Sequence, residues 1–468
     1  VTFIVATAGM KSTTYVQFIK GSLLIIFSIV LTVVLLSGGL DSTPDYERYR
    51  EPASLEATLS GDEVTGAGGG YSVAAQLDEG EYRLVALEKD GVRTWWSLDT
   101  EGSIPILREA LSKTESPDGS VLYNGAPKEE QKFYPVGRMS RIYLDGEVVE
   151  NTGRLTIISY LRAIQDGQVL RYAKESFDID GASVTVWAQN PTAGEKFLRP
   201  GLKYKLGEGA NIFTKFDFVS LMMALFFGTA ALPHVLIRYY TVPSPRDARR
   251  STVIAIAAIG FFYILTLYMG LGAATSGVLD VESSNMAAPL LAKSFGTFLF
   301  AIISAIAFAT VLGTVSGLIV ASSGAVAHDL MDRFAEVEFT DQGKVRAGKI
   351  AAVCVGGIAI MLGILFKGMN VSFLVGWAFA VAASANLPSI MMMLFWKKTT
   401  SKGITASVLV GMVSAMTLIL LSPSMFERYG LDPLRAPIPF DNPGIISIPL
   451  SFITIVVVSL LTQKKSKS

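Results

Sequence analysis

The sequence predicts an all-α membrane protein with several spans, interrupted by a β-rich soluble domain. Half of its 468 residues are hydrophobic and only 17% are charged, whereas average soluble chains carry about 25% charged residues. Forty basic side chains balance forty acidic ones, but the two signs are unevenly placed. Residues 41–208 hold 28 Asp and Glu against 19 Lys and Arg, a net of −9, and the remainder holds 12 against 21, a net of +9. An acidic, polar segment therefore interrupts a basic, apolar chain.

Apolar stretches of about 20 residues with few charges are typical of transmembrane helices. The sequence contains eight of them, at roughly 15–38, 217–238, 252–275, 295–321, 349–367, 371–396, 404–422 and 444–462. We expect the first eight residues, VTFIVATA, to be the end of a ninth span, and the chain to be incomplete at its N-terminus.

Lys and Arg in the short loops indicate the orientation, because cytoplasmic loops are enriched in both. Every second connection is basic: Arg238, Arg246, Arg249 and Arg250; then Arg333, Lys344, Arg346 and Lys349; then Lys397, Lys398 and Lys402; and finally Lys464, Lys465 and Lys467. Loop 276–292 on the opposite side has neither residue type. We therefore expect a multi-pass protein of the cytoplasmic membrane, with a cytoplasmic C-terminus and residues 39–213 outside.

Residues 39–213 alternate short β-like runs with turn signals, which predicts a β-rich domain. The runs are YRLVAL, RTWWSL, RIYLDGEVV, RLTIISYLRAI and ASVTVWA. Trp95, Trp96 and Trp187 are candidates for its core, and SGDEVTGAGGG at 60–70 has the composition of a linker. No nucleophile elbow or P-loop occurs here. A single cysteine and two histidines in the whole chain argue against a Cys/His metal centre. No set of residues offers a nucleophile, an activated base and an oxyanion donor together, which argues against an enzyme.

Several motifs follow one another in a specific order. AGMKSTTYVQ precedes the first full span, FGTAALPHVLIRYYTVPSPRDAR occupies 227–249, and SSNMAAPLLAKSFG, SAIAFATVLGTVSGLIVASSGAVAHDL and NVSFLVGWAFAVAASANLPSIMMMLFWKK follow. This succession resembles the sodium:solute symporter family, and within it the cation/acetate, or monocarboxylate, symporters. The likeness covers about 1–38 and 214–468, whereas 39–213 is outside the common pattern.

The resemblance implies a partial LeuT-like core of inverted repeats. Residues 1–38 would be the end of core helix 4 and core helix 5, and 39–213 the extracytoplasmic insert. Residues 214–396 would form the second repeat, core helices 6–10, and 397–468 two further helices with a basic tail. Core helices 1–4 would be missing, and with them half of the substrate site. They would be needed in cis or from another chain.

The span at 217–238 corresponds to the second broken helix of such transporters, whose exposed amides suit an anionic substrate. Small residues and Pro233 weaken the helix here. The resemblance makes Gly228, Thr229, Ala230 and His234 candidate substrate contacts, together with Ser384 and Asn386 from core helix 10. The alternative for the small residues is a packing seam between helices, and for His234, Ser384 and Asn386 an interhelical hydrogen bond.

In the same register, the sodium ligands of core helix 8 fall on Thr310, Gly313 and Thr314. Gly313 stands where a Ser is common, so that position offers only a carbonyl. Gln17 occupies a position where some relatives place an Asp on the inner sodium path. The alternative for these Ser/Thr positions is hydrogen bonding back to the preceding turn of their own helix.

The leading functional hypothesis is sodium-coupled symport of a small monocarboxylate such as acetate. Its partners would be the organic anion, sodium as the coupling ion and the lipid bilayer. No other cofactor and no nucleic acid are implied. A transporter-like sensor with an external binding domain is the alternative, as is a fragment that is inactive without core helices 1–4.

Overall fold

A computed structural model describes residues 10–463, except for 45–48, 79–81, 101, 103, 200, 205, 208, 237–238, 240–241 and 327–340. The expected ninth span at residues 1–8, the basic residues Arg238 and Arg333, and the lysines of the tail lie outside this range. The chain divides into two compact units. One comprises Leu23–Arg199 and Gly260–Ile306, and the other comprises Val1–Ser22, Pro200–Ile259 and Ala307–Ser468.

Long apolar helices dominate the second unit and contribute their ends to the first. The helices are α1 (Met10–Gly38), α2 (Ile157–Asp166), α3 (Gly194–Phe197), α4 (Ile212–Ala231), α5 (Pro233–Leu236), α6 (Pro245–Thr275), α7 (Ala287–Ser294), α8 (Thr297–Gly324), α9 (Asp341–Leu365), α10 (Val371–Phe395), α11 (Ser401–Leu420), α12 (Pro423–Arg428) and α13 (Gly444–Thr462). Within the described residues, eight segments are long and apolar enough to cross a membrane. They are α1, α4 together with α5, α6, α8, α9, α10, α11 and α13. The prediction of a polytopic α-helical membrane protein is confirmed.

The strands lie almost entirely between α1 and α4. They are β1 (Ser54–Ser60), β2 (Glu63–Ala67), β3 (Ser72–Leu77), β4 (Leu84–Lys89), β5 (Val92–Asp99), β6 (Ile106–Glu109), β7 (Leu111–Glu115), β8 (Val121–Tyr123), β9 (Ala126–Pro127), β10 (Val136–Leu144), β11 (Glu147–Val149), β12 (Gln168–Ile179), β13 (Ala182–Ala193) and β14 (Ser276–Leu279). Among the described residues they form two antiparallel sheets, ordered β2-β1-β6-β5-β4-β3 and β11-β10-β12-β13-β7-β8-β9, with β14 also paired to β10. The β-rich character predicted for this segment is confirmed.

Two local predictions for this segment were wrong. Residues 60–70 are not a linker: β1 and β2 form a hairpin there, with Ala57 opposite Ala67, and Gly61 takes a positive φ of 66° in the turn. RLTIISYLRAI contains helix α2 rather than a strand. Thr156 and Ser159 form a capping box at its start, and Tyr160, Ala163 and Ile164 are buried along one face. The cap and this spacing outweigh the β-branched residues.

The three tryptophans are buried, as expected, but in separate clusters. Trp95 packs with Leu84, Val184 and neighbouring residues, whereas Trp96 packs with Leu107 and others. Trp187 lies in a third cluster with Leu111 and Val136. Adjacent residues of a strand point to opposite faces of a sheet, so Trp95 and Trp96 serve two different cores.

The largest cluster of the first unit joins helix ends to the β-rich segment. It contains Leu31 and Leu35 of α1, Tyr160 and Ile164 of α2, and Leu291 of α7, all fully or almost fully buried. Polar contacts reinforce it. The hydroxyl of Tyr160 lies 3.3 Å from that of Thr275 at the end of α6, and the Tyr268 hydroxyl donates to the Ile157 carbonyl.

A strand from outside the 39–213 segment extends its larger sheet. Strand β14 follows α6 directly and pairs antiparallel with the start of β10, Val136 lying opposite Leu279. Gly137 has a φ of 89°, and a Cβ there would lie 2.8 Å from the Ala274 carbonyl oxygen. The sequence predicted only a loop at 276–292, whereas it contains β14 and α7.

In the second unit, α10 packs against α4, α11 and α13. A polar junction joins the start of α4 to the start of α13. The Asp217 carboxylate accepts hydrogen bonds from the backbone N–H and the side-chain amide of Asn442. The Ser220 hydroxyl donates to the Asn442 carbonyl at 2.6 Å and accepts from the Ile445 N–H. The side-chain oxygen of Asn442 is also buried here, but it has no hydrogen-bond partner among the described residues.

Small residues allow α10, α11 and α13 to approach closely. Pro388 within α10 has no N–H to offer the Ser384 carbonyl, four residues earlier. Gly411 of α11 packs directly on that carbonyl, because a Cβ at Gly411 would lie only 2.1 Å from its oxygen. Serine hydroxyls bridge the same helices: Ser384 to Ser447 at 2.6 Å, and Ser407 to Ser451 at 2.8 Å.

We expect Gly411→Ala to destabilise this helix packing, since the added Cβ forces α11 away from α10. Overpacking of this kind costs roughly 1–3 kcal/mol. Thermal unfolding of the detergent-purified protein measures the effect. Gly357→Ala is the matched control, because a Cβ on Gly357 of α9 meets no atom within 4 Å. Equal melting temperatures for the two variants would contradict the close packing of α11 on α10.

Removal from water raises the pKa values of Tyr134 and Tyr172 above the ordinary 10.0, and nearby Glu109 adds to the effect at both. The folded state therefore favours the neutral phenols. Their contribution to stability is complete below pH about 10, the pKa of an exposed tyrosine, and declines as pH rises above it. We expect Tyr134→Phe and Tyr172→Phe to reduce the loss of stability at alkaline pH, followed by tyrosinate absorbance and thermal unfolding. A loss of stability in both variants equal to that of the wild type would contradict this cause.

Candidate functional site

The helix that carries the predicted substrate residues is interrupted within the predicted segment. Helix α4 ends at Ala231, Leu232 is extended with φ −69° and ψ 117°, and Pro233 starts the short α5. Proline has no N–H, and the last carbonyls of a helix have no partner within it. The backbone groups at this break must therefore find partners elsewhere.

Asn386 of α10 supplies one such partner. Its side-chain amide donates a hydrogen bond to the Ala231 carbonyl, with 3.0 Å between Nδ2 and the oxygen. Asn386 is half-buried, and leaving a buried carbonyl unpaired costs about 1–3 kcal/mol. The break in α4 and one predicted site residue of α10 are therefore in direct contact.

The other residues predicted beside the break differ in their surroundings. Gly228 is buried against α10, because a Cβ there would lie 2.6 Å from the Phe379 Cβ and carbonyl oxygen. Thr229 and Ala230 are exposed, and the Thr229 hydroxyl donates back to the Leu225 carbonyl. His234 lies half-buried on α5. Gly228 thus occupies a packing seam, whereas Thr229 and Ala230 point away from it.

Ser384 lies deeper in α10 and is completely buried. Its hydroxyl donates to the Ala380 carbonyl and lies 2.6 Å from the Ser447 hydroxyl. These contacts place Ser384 among α10, α11 and α13, one turn from Pro388. Ser384 was predicted either to contact the substrate or to make an interhelical hydrogen bond, and the geometry favours the interhelical hydrogen bond.

Thr310, Gly313 and Thr314, the predicted sodium ligands, share one face of α8 and are half-buried. Residues three and four apart on a helix are neighbours, so their oxygens lie within one turn. The side chain beside this turn belongs to Lys20 of α1. Its Nζ donates to the Ala309 carbonyl at 2.8 Å and lies 3.1 Å from the position of a Cβ on Gly313.

Gln17 of α1 lies one turn before Lys20 and is half-buried. Gln17 was predicted from the sequence to lie on the inner sodium path, whereas Lys20 was not predicted. The available signal was a charged residue inside an apolar span, which by itself suggests a functional role. No group of three or more His, Cys, Asp or Glu side chains able to hold a metal occurs among the described residues. The ligands that the sequence predicts on α8 are carbonyl and hydroxyl oxygens.

Known proteins share this arrangement of motifs. The profile of the sodium:solute symporter family matches residues 182–411, from β13 to the middle of α11. A "Monocarboxylic acid transporter" of Corynebacterium glutamicum is 46% identical over 271 residues, which are 55% of this chain and 48% of the relative. An "Uncharacterized symporter YwcA" of Bacillus subtilis is 42% identical over 313 residues, 64% of this chain and 58% of the relative.

The chain spans about half the length of these curated relatives. The matched range includes the break after Ala231, Asn386 on α10 and the hydroxyl-bearing face of α8. Both relatives bear the names of transport proteins, and the family is one of transporters rather than enzymes. By this match and these identities, the membrane-helix part of this chain is similar to the sodium:solute symporter family.

Proposed function

We propose that the protein is a sodium-coupled symporter of a small monocarboxylate such as acetate. Sodium moving down its gradient would carry the anion into the cell. The family match supports coupling to sodium, and the relative named as a monocarboxylic acid transporter supports the substrate class. The observation that carries the proposal is the helix break after Ala231, joined to α10 by Asn386. In transporters, discontinuous helices of this kind form binding sites near the middle of the membrane.

The proposed architecture is a partial LeuT-like core. Helix α1 would be core helix 5, the segment from 214 to 396 would be the second inverted repeat, and α11 and α13 would be two further helices. Core helices 1–4 would be supplied in cis or by another chain. The interrupted α4, the first helix of the proposed repeat, supports this assignment.

The proposed substrate contacts are Gly228, Thr229, Ala230 and His234 around the break, with Asn386 on α10. Asn386 would hold the Ala231 carbonyl in place and so fix the shape of the break. Ser384, which lies in the helix seam, would act by positioning α10 rather than by touching the anion. Sodium would bind on α8 at Thr310, Gly313 and Thr314.

We further propose that the protein lies in the cytoplasmic membrane, with residues 39–213 outside and the C-terminus in the cytoplasm. The basic loops support this orientation. The pairing of β14 with β10 also supports it. Two spans separate residues 39–213 from loop 276–292, so the two segments should face the same side, and strand pairing between them requires that they do.

Cells that express the whole reading frame are expected to take up radiolabelled acetate in sodium medium and to lose this uptake when choline replaces sodium. Unlabelled propionate should compete, since it carries the same carboxylate on a small apolar group, and unlabelled glucose should not. Uptake that is unaffected by the replacement of sodium would contradict sodium coupling.

A sensor built on a transporter scaffold remains the second candidate, because the β-rich segment shares a hydrophobic core with the helix ends. Binding at that segment could therefore reach the membrane helices directly. Binding of labelled acetate to the purified protein, without uptake into sealed proteoliposomes under a sodium gradient, would favour the sensor over the symporter.

Asn386→Ala should lower the rate of acetate uptake at least about tenfold, equivalent to about 1.4 kcal/mol, because the Ala231 carbonyl loses its partner. The initial rate, normalised to protein in the membrane, is the measurement. Asn370→Ala on the same helix is the control. It removes the side chain that caps α10 at the Ser372 N–H, so it should reduce stability by about 1 kcal/mol and leave the rate unchanged. Equal rates for the two variants would argue that Asn386 is only structural.

A further inference from the structure

Lys20 is a charged side chain inside the apolar span Val16–Gly38. Its ammonium donates a hydrogen bond to the Ala309 carbonyl of α8 at 2.8 Å, and the residue is half-buried. Charged groups within spans are costly and are retained where they pair or serve a function. The contact of Lys20 is with a backbone carbonyl of a neighbouring helix.

Gly313 provides the room for this ammonium. A Cβ at Gly313 would lie 3.1 Å from Lys20 Nζ and 3.7 Å from its Cδ. The first distance is shorter than an ordinary contact, so a larger residue at 313 would press against the lysine. Ala309 and Gly313 are one helical turn apart, and together they form a notch that holds the end of the Lys20 side chain.

The oxygen that this ammonium contacts is a neutral carbonyl rather than a carboxylate. Helix α8 contains no ionisable side chain, and α1 contains no Asp or Glu. Carbonyl and hydroxyl oxygens with no acidic partner suit a single monovalent cation. A sodium ion and a lysine ammonium both meet that description, and both cannot occupy one turn of α8 together.

We propose that the Lys20 ammonium occupies the cation position on α8 and competes with sodium for it. This inference rests on the proposed function for the location of the sodium site at Thr310, Gly313 and Thr314. Sodium has to displace the ammonium in order to bind. The flexible four-carbon stem of lysine allows the charged end to move aside without movement of α1. Lys20 therefore sets the sodium concentration at which the site fills.

The test is the sodium-dependent thermal stabilisation of the purified protein, because ligand that binds the folded state raises its stability. Melting temperatures are measured over a series of sodium concentrations, with choline keeping the ionic strength constant. Lys20→Met keeps the length of the side chain and removes its charge. Since a hydrogen bond from a charged group contributes about 1.5–3 kcal/mol, the half-saturating sodium concentration should fall about tenfold or more.

Gly313→Ser provides a second, independent variant. Its Cβ would crowd the Lys20 ammonium, its hydroxyl would add a sodium ligand, and serine is the better helix former. The half-saturating sodium concentration should again fall. Lys402→Met is the matched control, because Lys402 is exposed at the start of α11, and its sodium response should equal that of the wild type.

An unchanged or higher half-saturating concentration in both Lys20→Met and Gly313→Ser would overturn the inference, as would the absence of any sodium response in all the proteins. A wild type that responds only weakly, beside a Lys20→Met variant that responds strongly, would support it. This readout is independent of acetate uptake. If the wild type shows no sodium-dependent acetate uptake but Lys20→Met shifts the sodium response, the proposed function is contradicted. The proposed competition between Lys20 and sodium is then still supported.

Discussion

The hydrophobic core shared by the helix ends and the β-rich segment is the contact on which one whole unit of this protein depends. Leu31 and Leu35 of α1 and Leu291 of α7 pack in one cluster with Tyr160 and Ile164 of α2. Packing these apolar groups together removes them from water, which is the dominant favourable term in folding. The β-rich segment therefore shares its core with the helix ends in this unit and is not a separate module.

In the other unit, close approach between helices depends on backbone groups that proline leaves free. Pro388 withholds the N–H that the Ser384 carbonyl would accept, and Gly411 packs on that carbonyl. The end of α4 at Ala231 leaves the Ala231 carbonyl without a partner in its own helix, and Asn386 donates to it. Within membranes such groups have no water to bond with. The same chemistry thus accounts both for the tight packing of α10 on α11 and for the joint between α10 and the broken helix.

The membrane helices could be predicted from the sequence because length and apolarity suffice to identify them. The break near Pro233 could also be predicted, because its cause, a proline beside small residues, is local in the sequence. The hairpin at 60–70 was missed because its glycine-rich composition also fits a linker, and α2 was read as a strand because its β-branched residues masked the cap at Thr156. The Lys20 contact joins residues 289 positions apart, and nothing in the local pattern indicates which carbonyl the ammonium meets.

The pairing of β14 with β10 constrains the order in which the chain can fold during synthesis. Val136 is made long before its partner Leu279, and α4 and α6 are synthesised between them. Until α6 has been inserted, the start of β10 presents an unpaired edge, and such edges invite pairing with other chains. The larger sheet can be completed only after these two helices have been made. A failure of their insertion would therefore leave the nascent chain with an open strand edge and prone to aggregation.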